Sequence, residues 1–95
     1  MKRIIWSGDA RRELEQLNDW YAQFSVDLPL TLTLRIEAAL IKLLDFPLLG
    51  ASLPDSTRRK WVVRGTPYLV LYRPTPDGIR ILSVRHVRSN WTADA

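Results

Sequence analysis

Five consecutive residues, Tyr68-Leu69-Val70-Leu71-Tyr72, are apolar at both parities of a strand. Side chains alternate between faces along a strand, so a run of this kind belongs at the centre of a sheet covered on both sides. The rest of the 95-residue chain must supply that cover. A chain of this length fits one domain, residues 1–95, with a compact radius of about 12–13 Å. There is space for one core and one surface site, and none for a cofactor domain beside a substrate domain.

The flanking sequence supplies both partners and cover. Lys60-Trp61-Val62-Val63-Arg64 reads as one neighbouring strand, joined to the central run by Gly65-Thr66, which has the Gly-X chemistry of a two-residue hairpin turn. Pro74-Thr75-Pro76-Asp77-Gly78 reads as a turn whose prolines stop the strand, and Ile79 to Val87 as the last strand. Before them lie two segments of helical period. Ser7 is a candidate N-cap, and from Ala10 onward Leu14, Leu17, Tyr21 and Phe24 trace one stripe, widened by Trp20. After Ser25-Val26, Asp27 is a second candidate N-cap. Leu32, Ile36, Ala39, Leu40 and Leu43 form the stripe of a helix that runs to about Asp45 and is stopped by Pro47 and Gly50. So short a link makes the two helices antiparallel neighbours. Lys2 to Trp6 reads as a first strand, and residues 51–57 as a polar loop. The expected fold class is therefore α+β: an N-terminal strand, an antiparallel helical hairpin and a three-strand antiparallel meander, with the helices packed on one face of the sheet.

Composition excludes several kinds of chemistry. There is no cysteine, hence no disulfide, thiolate metal site or cysteine nucleophile, and a single histidine, His86, cannot build a multi-histidine cage. No cofactor and no metal are expected. No apolar run approaches the ~20 residues that span a membrane, and the first residues lack the pattern of a secretory signal, so a cytoplasmic location is expected. The formal charge of +4 is uneven: residues 1–47 hold six Lys/Arg against seven Asp/Glu, residues 48–95 eight against three. A basic C-terminal half points to an anionic partner, a nucleic acid or an acidic protein segment.

Strand parity arranges these charges. Lys60, Val62 and Arg64 should share one face, with Trp61 and Val63 toward the helices. Arg80, Leu82, Val84, His86 and Arg88 should share another, opposite Ile79, Ile81 and Ser83. If the two charged sets coincide, they form a basic, partly apolar surface suited to an acidic amphipathic segment; alternatively Leu82 and Val84 lie under the C-terminal tail. Trp91 stands alone among polar residues, either a lid on the core or a partner anchor.

The chain resembles the ParE/RelE superfamily of bacterial type II toxins, and ParE more closely. The resemblance rests on Ile5-Trp6-Ser7 with Ala10 and Leu14, Leu44-Asp45-Phe46-Pro47 with Gly50, Arg64, Tyr68 to Arg73, and Ile81-Leu82-Ser83-Val84-Arg85-His86-Val87-Arg88. It implies an antitoxin partner and one of two activities. RelE-like members cleave mRNA on the ribosome; ParE-like members inhibit DNA gyrase without known catalysis. RNA cleavage through the 2′-hydroxyl needs a proton acceptor, cations for the phosphorane and a proton for the leaving oxygen. Here the central-strand position where nucleases commonly carry arginine is Leu69, and no terminal tyrosine follows His86. The expectation is a gyrase inhibitor neutralised by an antitoxin, not an enzyme, touching nucleic acid only through gyrase. Arg58, Arg59, Lys60, Arg64, Arg80, Leu82, Val84 and Arg88 are the candidate antitoxin contacts, and His86, Arg88 and Trp91 the candidate target contacts. The alternatives are a ribosome-dependent mRNA endoribonuclease using Arg64, Arg80, Arg85 and His86, and a non-toxic member that only binds an antitoxin.

Overall fold

The computed structural model describes residues 2–54 and 56–88. Trp91 and the rest of the tail beyond Arg88 lie outside the described residues, as does Asp55. The elements run β1 (Arg3–Trp6), α1 (Gly8–Ala22), α2 (Leu28–Asp45), β2 (Ala51–Ser52), β3 (Arg59–Val62), β4 (Tyr68–Thr75) and β5 (Gly78–His86). They form one five-stranded sheet in the order β1-β5-β4-β3-β2, with β4 at its centre as the all-apolar run requires. β1 pairs parallel to β5 and the other neighbours pair antiparallel. The Cα radius of gyration is 13.0 Å, within the range expected from length.

The α+β architecture and helical hairpin agree with the sequence pattern, and the caps explain the first helix. Ser7 Oγ accepts the Ala10 N–H at 3.0 Å, and Asp9 in the first turn complements the helix dipole. Asp27 occupies the N-cap of α2 but makes no side-chain cap bond; Pro29 sets the first turn instead. Leu32, Ile36, Leu40 and Leu43 are buried, as their period requires. They pack with Val63, Tyr68, Val70, Tyr72, Ile79, Ile81 and Val84 into the main core. The α1 stripe is narrower than expected: Leu14, Leu17 and Tyr21 reach the core, whereas Trp20 is 55% exposed and Phe24 65%. The helix ends at Ala22, before Phe24, and Trp20 lies about 100° around it from Tyr21. The two rings stack edge-to-face on the outside instead.

Several strand boundaries correct the sequence pattern. The supposed loop 51–57 contains the short edge strand β2, and β3 ends at Val62, leaving Arg64 in a turn. Gly65 does not open a two-residue hairpin. It sits third in the turn Val63-Arg64-Gly65-Thr66 at φ +80°, closed by Thr66 N–H to Val63 O at 3.1 Å. That is the position where a type II turn needs glycine. β4 continues through Pro74 to Thr75, because β3 reaches only to Tyr72 and proline is tolerated on the edge beyond it.

The largest correction is a β-bulge. Leu71 pairs with Ser83 but Tyr72 pairs with Ile81, so Leu82 is an extra residue. An extra residue reverses the parity of everything after it. Arg80 and Leu82 therefore lie on the face away from the helices, while Val84 and His86 lie on the helix side, not together as simple alternation predicts. Leu82 packs with Leu53, Leu69 and Leu71 on the open face, and Val84 joins the main core.

Candidate partner-binding surfaces

A groove of about 560 Å³ lies between α2 and β3. Ala38 and Ala39 are small enough to leave it open, and Arg35, Lys42 and Arg64 rim it. Trp61 forms part of its wall, with Lys42 Nζ 5.8 Å from the ring centroid. A smaller apolar pocket of about 140 Å³, lined by Leu28, Leu32, Pro67 and Tyr68 among others, adjoins it through the shared Arg35. β2 covers only Arg59 and Lys60 of β3, so Trp61 and Val62 stand on an uncovered strand edge beside this groove. Simple alternation sets Arg64 with Lys60 on the face opposite Trp61. Because β3 ends at Val62, Arg64 instead turns beside α2 and joins Trp61 at the groove, with Arg35 and Lys42, which the sequence pattern did not single out. Their i, i+7 spacing on one flank of α2 is the signal that could have found them.

The other candidate antitoxin contacts are dispersed. Arg59 faces the helices, and its guanidinium donates to the Leu48 and Gly50 carbonyls at 3.1 and 2.7 Å, pinning the loop after α2. Tyr72 Oη pins the same loop, donating to Pro47 O at 2.7 Å and accepting the Gly50 N–H at 2.9 Å. A Cβ on residue 50 would stand 2.6 Å from that hydroxyl, which is why the position is glycine. Arg58 donates to Ser56 Oγ at 3.0 Å, and Arg88 is exposed beyond the end of β5. Lys60, Arg80 and Leu82 lie on the open face; Val84 is buried on the other.

Of the four candidate nuclease residues, Arg80 and Arg85 are set apart from His86 by the register of β5. Arg64 rims the groove on the helix side, and Arg80 lies on the open face near the start of β5. Arg85 donates to Ser83 Oγ at 2.8 Å and stands 3.5 Å from a Glu13 carboxylate oxygen. That carboxylate also accepts from Ser83 Oγ at 2.9 Å and the Val84 N–H at 3.3 Å. It thereby closes the β5 edge where β1 has already ended. His86 packs edge-to-face on Tyr68 at 5.5 Å, and its Nδ1 accepts the Arg88 N–H at 3.0 Å. That bond makes Nδ1 an acceptor and puts the neutral ring's proton on Nε2. Next to it, the Tyr21 and Tyr68 hydroxyls are 2.9 Å apart. Burial first, then the bond and charge of Tyr21, push the Tyr68 phenol up to about 12.

This fold and these surfaces define a small α+β domain with grooves at its helical hairpin and sheet edge. A family model described as the ParE toxin of the type II toxin–antitoxin system parDE matches residues 4–91. The chain belongs to that toxin family. Toxin RelE2 of Caulobacter vibrioides is 29% identical over 86 residues, covering 90% of this chain and 96% of its own. The Sinorhizobium fredii protein Y4kP is 29% identical over 90 residues, covering 95% and 93%. A solved structure from a chromosomal ParDE toxin–antitoxin system of P. aeruginosa superposes with a TM-score of 0.76 at 18% identity, over 90% of this chain and 96% of its own. It shares the fold. Among the described residues, no helix is long and apolar enough to cross a membrane.

Proposed function

We propose that this ParE-family toxin acts by binding rather than catalysis, inhibiting DNA gyrase in the bacterial cytoplasm, and is held inactive by an antitoxin. The observation that carries the first part is that Arg80 stands at the opposite end of β5 from His86, and Arg85 on the other face of that strand. A nuclease must gather its base, its cations and its proton donor around one phosphate. Arg85 is instead engaged by Glu13 and Ser83, and Leu69, where an arginine would face the phosphate, is 3% exposed in an apolar cluster.

The antitoxin site that the geometry favours is the groove between α2 and β3. Arg35, Lys42 and Arg64 offer an acidic segment three cations, Trp61 offers an apolar anchor, and the uncovered edge of β3 offers backbone pairing. Arg59 is excluded from that contact set by its bonds to the loop, and Val84 by its burial.

The test is a pair of assays on the purified chain. It inhibits gyrase supercoiling and leaves mRNA intact on translating ribosomes. Codon-specific mRNA cleavage that disappears in His86→Ala and Arg64→Ala overturns the proposal in favour of the nuclease.

A further inference from the structure

On the open face, Arg73 of β4 and Arg80 of β5 are directly opposed cross-strand partners. Like charges in that position are destabilising. Neither side chain has a hydrogen bond or an ion pair among the described residues. On β1, Ile5 pairs with Arg80, and Arg3 shares the same face one step along the strand. Lys60, diagonal to Arg73, continues the basic band on β3. The band thus crosses four adjacent strands, roughly 14 Å at the usual spacing. The fold holds these charges together and, among the described residues, gives Arg73 and Arg80 no counter-ion.

We infer that this band binds the phosphodiester backbone of duplex DNA. The floor beside it is already closed: Leu69 and Leu71 are 3% and 4% exposed. The exposed apolar side chains of this face, Ile5 at 40% and Val62 at 53%, stand on β1 and β3 with two strands between them. An amphipathic acidic peptide would find charge and two separate apolar side chains here, whereas the groove beside α2 offers charge around a concavity. Single-stranded nucleic acid is bound largely by stacking on aromatic side chains. Among the described residues the open face has none, because Trp6, Trp61, Tyr68 and Tyr72 all pack toward the helices. What remains is guanidinium forks on hydrogen-bonded strands, which suit a duplex carrying one charge per ~1.7 Å of axis. Contacts of this kind carry no sequence information, so binding is independent of base sequence. This site lies outside the proposed antitoxin groove and is read without gyrase, so its failure and the failure of the gyrase proposal are separate results.

The experiment is fluorescence anisotropy of the full chain with a labelled 30-base-pair duplex across a monovalent salt series. Wild type binds at 50 mM salt, two unrelated duplex sequences bind alike, and single-stranded RNA of the same length binds more weakly. Arg73→Gln/Arg80→Gln flattens the slope of log K against log salt by about 2, since each lost phosphate contact removes about 0.9. Arg73→Lys/Arg80→Lys keeps the charge and restores the slope. Arg11→Gln/Arg12→Gln, which removes the same formal charge from the exposed side of α1, leaves it unchanged. No duplex binding by wild type overturns the inference, as does an unchanged slope in the glutamine variant. Tighter binding of the RNA, or displacement of the duplex by polyglutamate at equal charge concentration, overturns it by reassigning the band.

Discussion

The two faces of the sheet treat their polar groups in opposite ways. On the helix side, among the described residues, the buried tyrosine hydroxyls are matched internally. Tyr72 bonds Pro47 and Gly50, and Tyr68 bonds Tyr21. On the open side a small leucine cluster is sealed, and two arginines face each other with no ion pair among the described residues. One face is built for stability and the other tolerates an electrostatic cost, which is where function is expected to lie.

The largest expected effect tests the first half of that contrast. Ile36→Ala, at a core position 1% exposed, should cost about 2–5 kcal/mol in denaturant unfolding. A loss below about 1 kcal/mol would show that α2 does not carry the core. Next comes the groove on the flank of α2. Arg35→Glu/Lys42→Glu should weaken an acidic antitoxin peptide by about 100-fold in calorimetry, since like charges across an interface cost several kcal/mol. Unchanged affinity would remove the groove as the antitoxin site.

How much of this was legible in the sequence depends on the range of the interaction. The α2 stripe, the Ser7 cap and the central position of β4 follow from spacing within one segment, and all three hold. The bulge at Leu82 does not follow, because it exists only in the register between two strands. It separates Leu82 from Val84 and breaks up the surface that alternation had assembled. The same long-range register creates the Arg73–Arg80 opposition, invisible from either strand alone. Arg35 and Lys42 were missed because a solvated helix flank and a groove wall look alike until β3 is set beside them.

A third prediction concerns alkaline pH on the helix side. The Tyr68 phenol is raised in the folded state, so the fold binds its proton more tightly than the unfolded chain does. Its contribution is complete below pH 10 and is lost as pH rises toward about 12. Tyr72, also raised chiefly by burial, adds in the same direction. Stability should fall on the order of 2 kcal/mol across that window, and Tyr21→Phe should reduce the fall by removing the neighbouring phenol. A flat profile in urea melts at pH 10 and pH 12 would contradict the burial argument. The smallest effect belongs to the open face: Arg73→Gln/Arg80→Gln should leave stability unchanged or raise it by up to ~1 kcal/mol. A clear loss would mean that the two arginines support the fold after all.

The most direct test of the central claim is a titration of the purified toxin against a fixed concentration of gyrase in a supercoiling assay. A binding mechanism predicts inhibition that follows occupancy. Half-inhibition should move in proportion to the gyrase concentration when binding is tight. Supercoiling unaffected at saturating toxin, together with catalytic cleavage of ribosome-bound mRNA at substoichiometric toxin, would contradict the account.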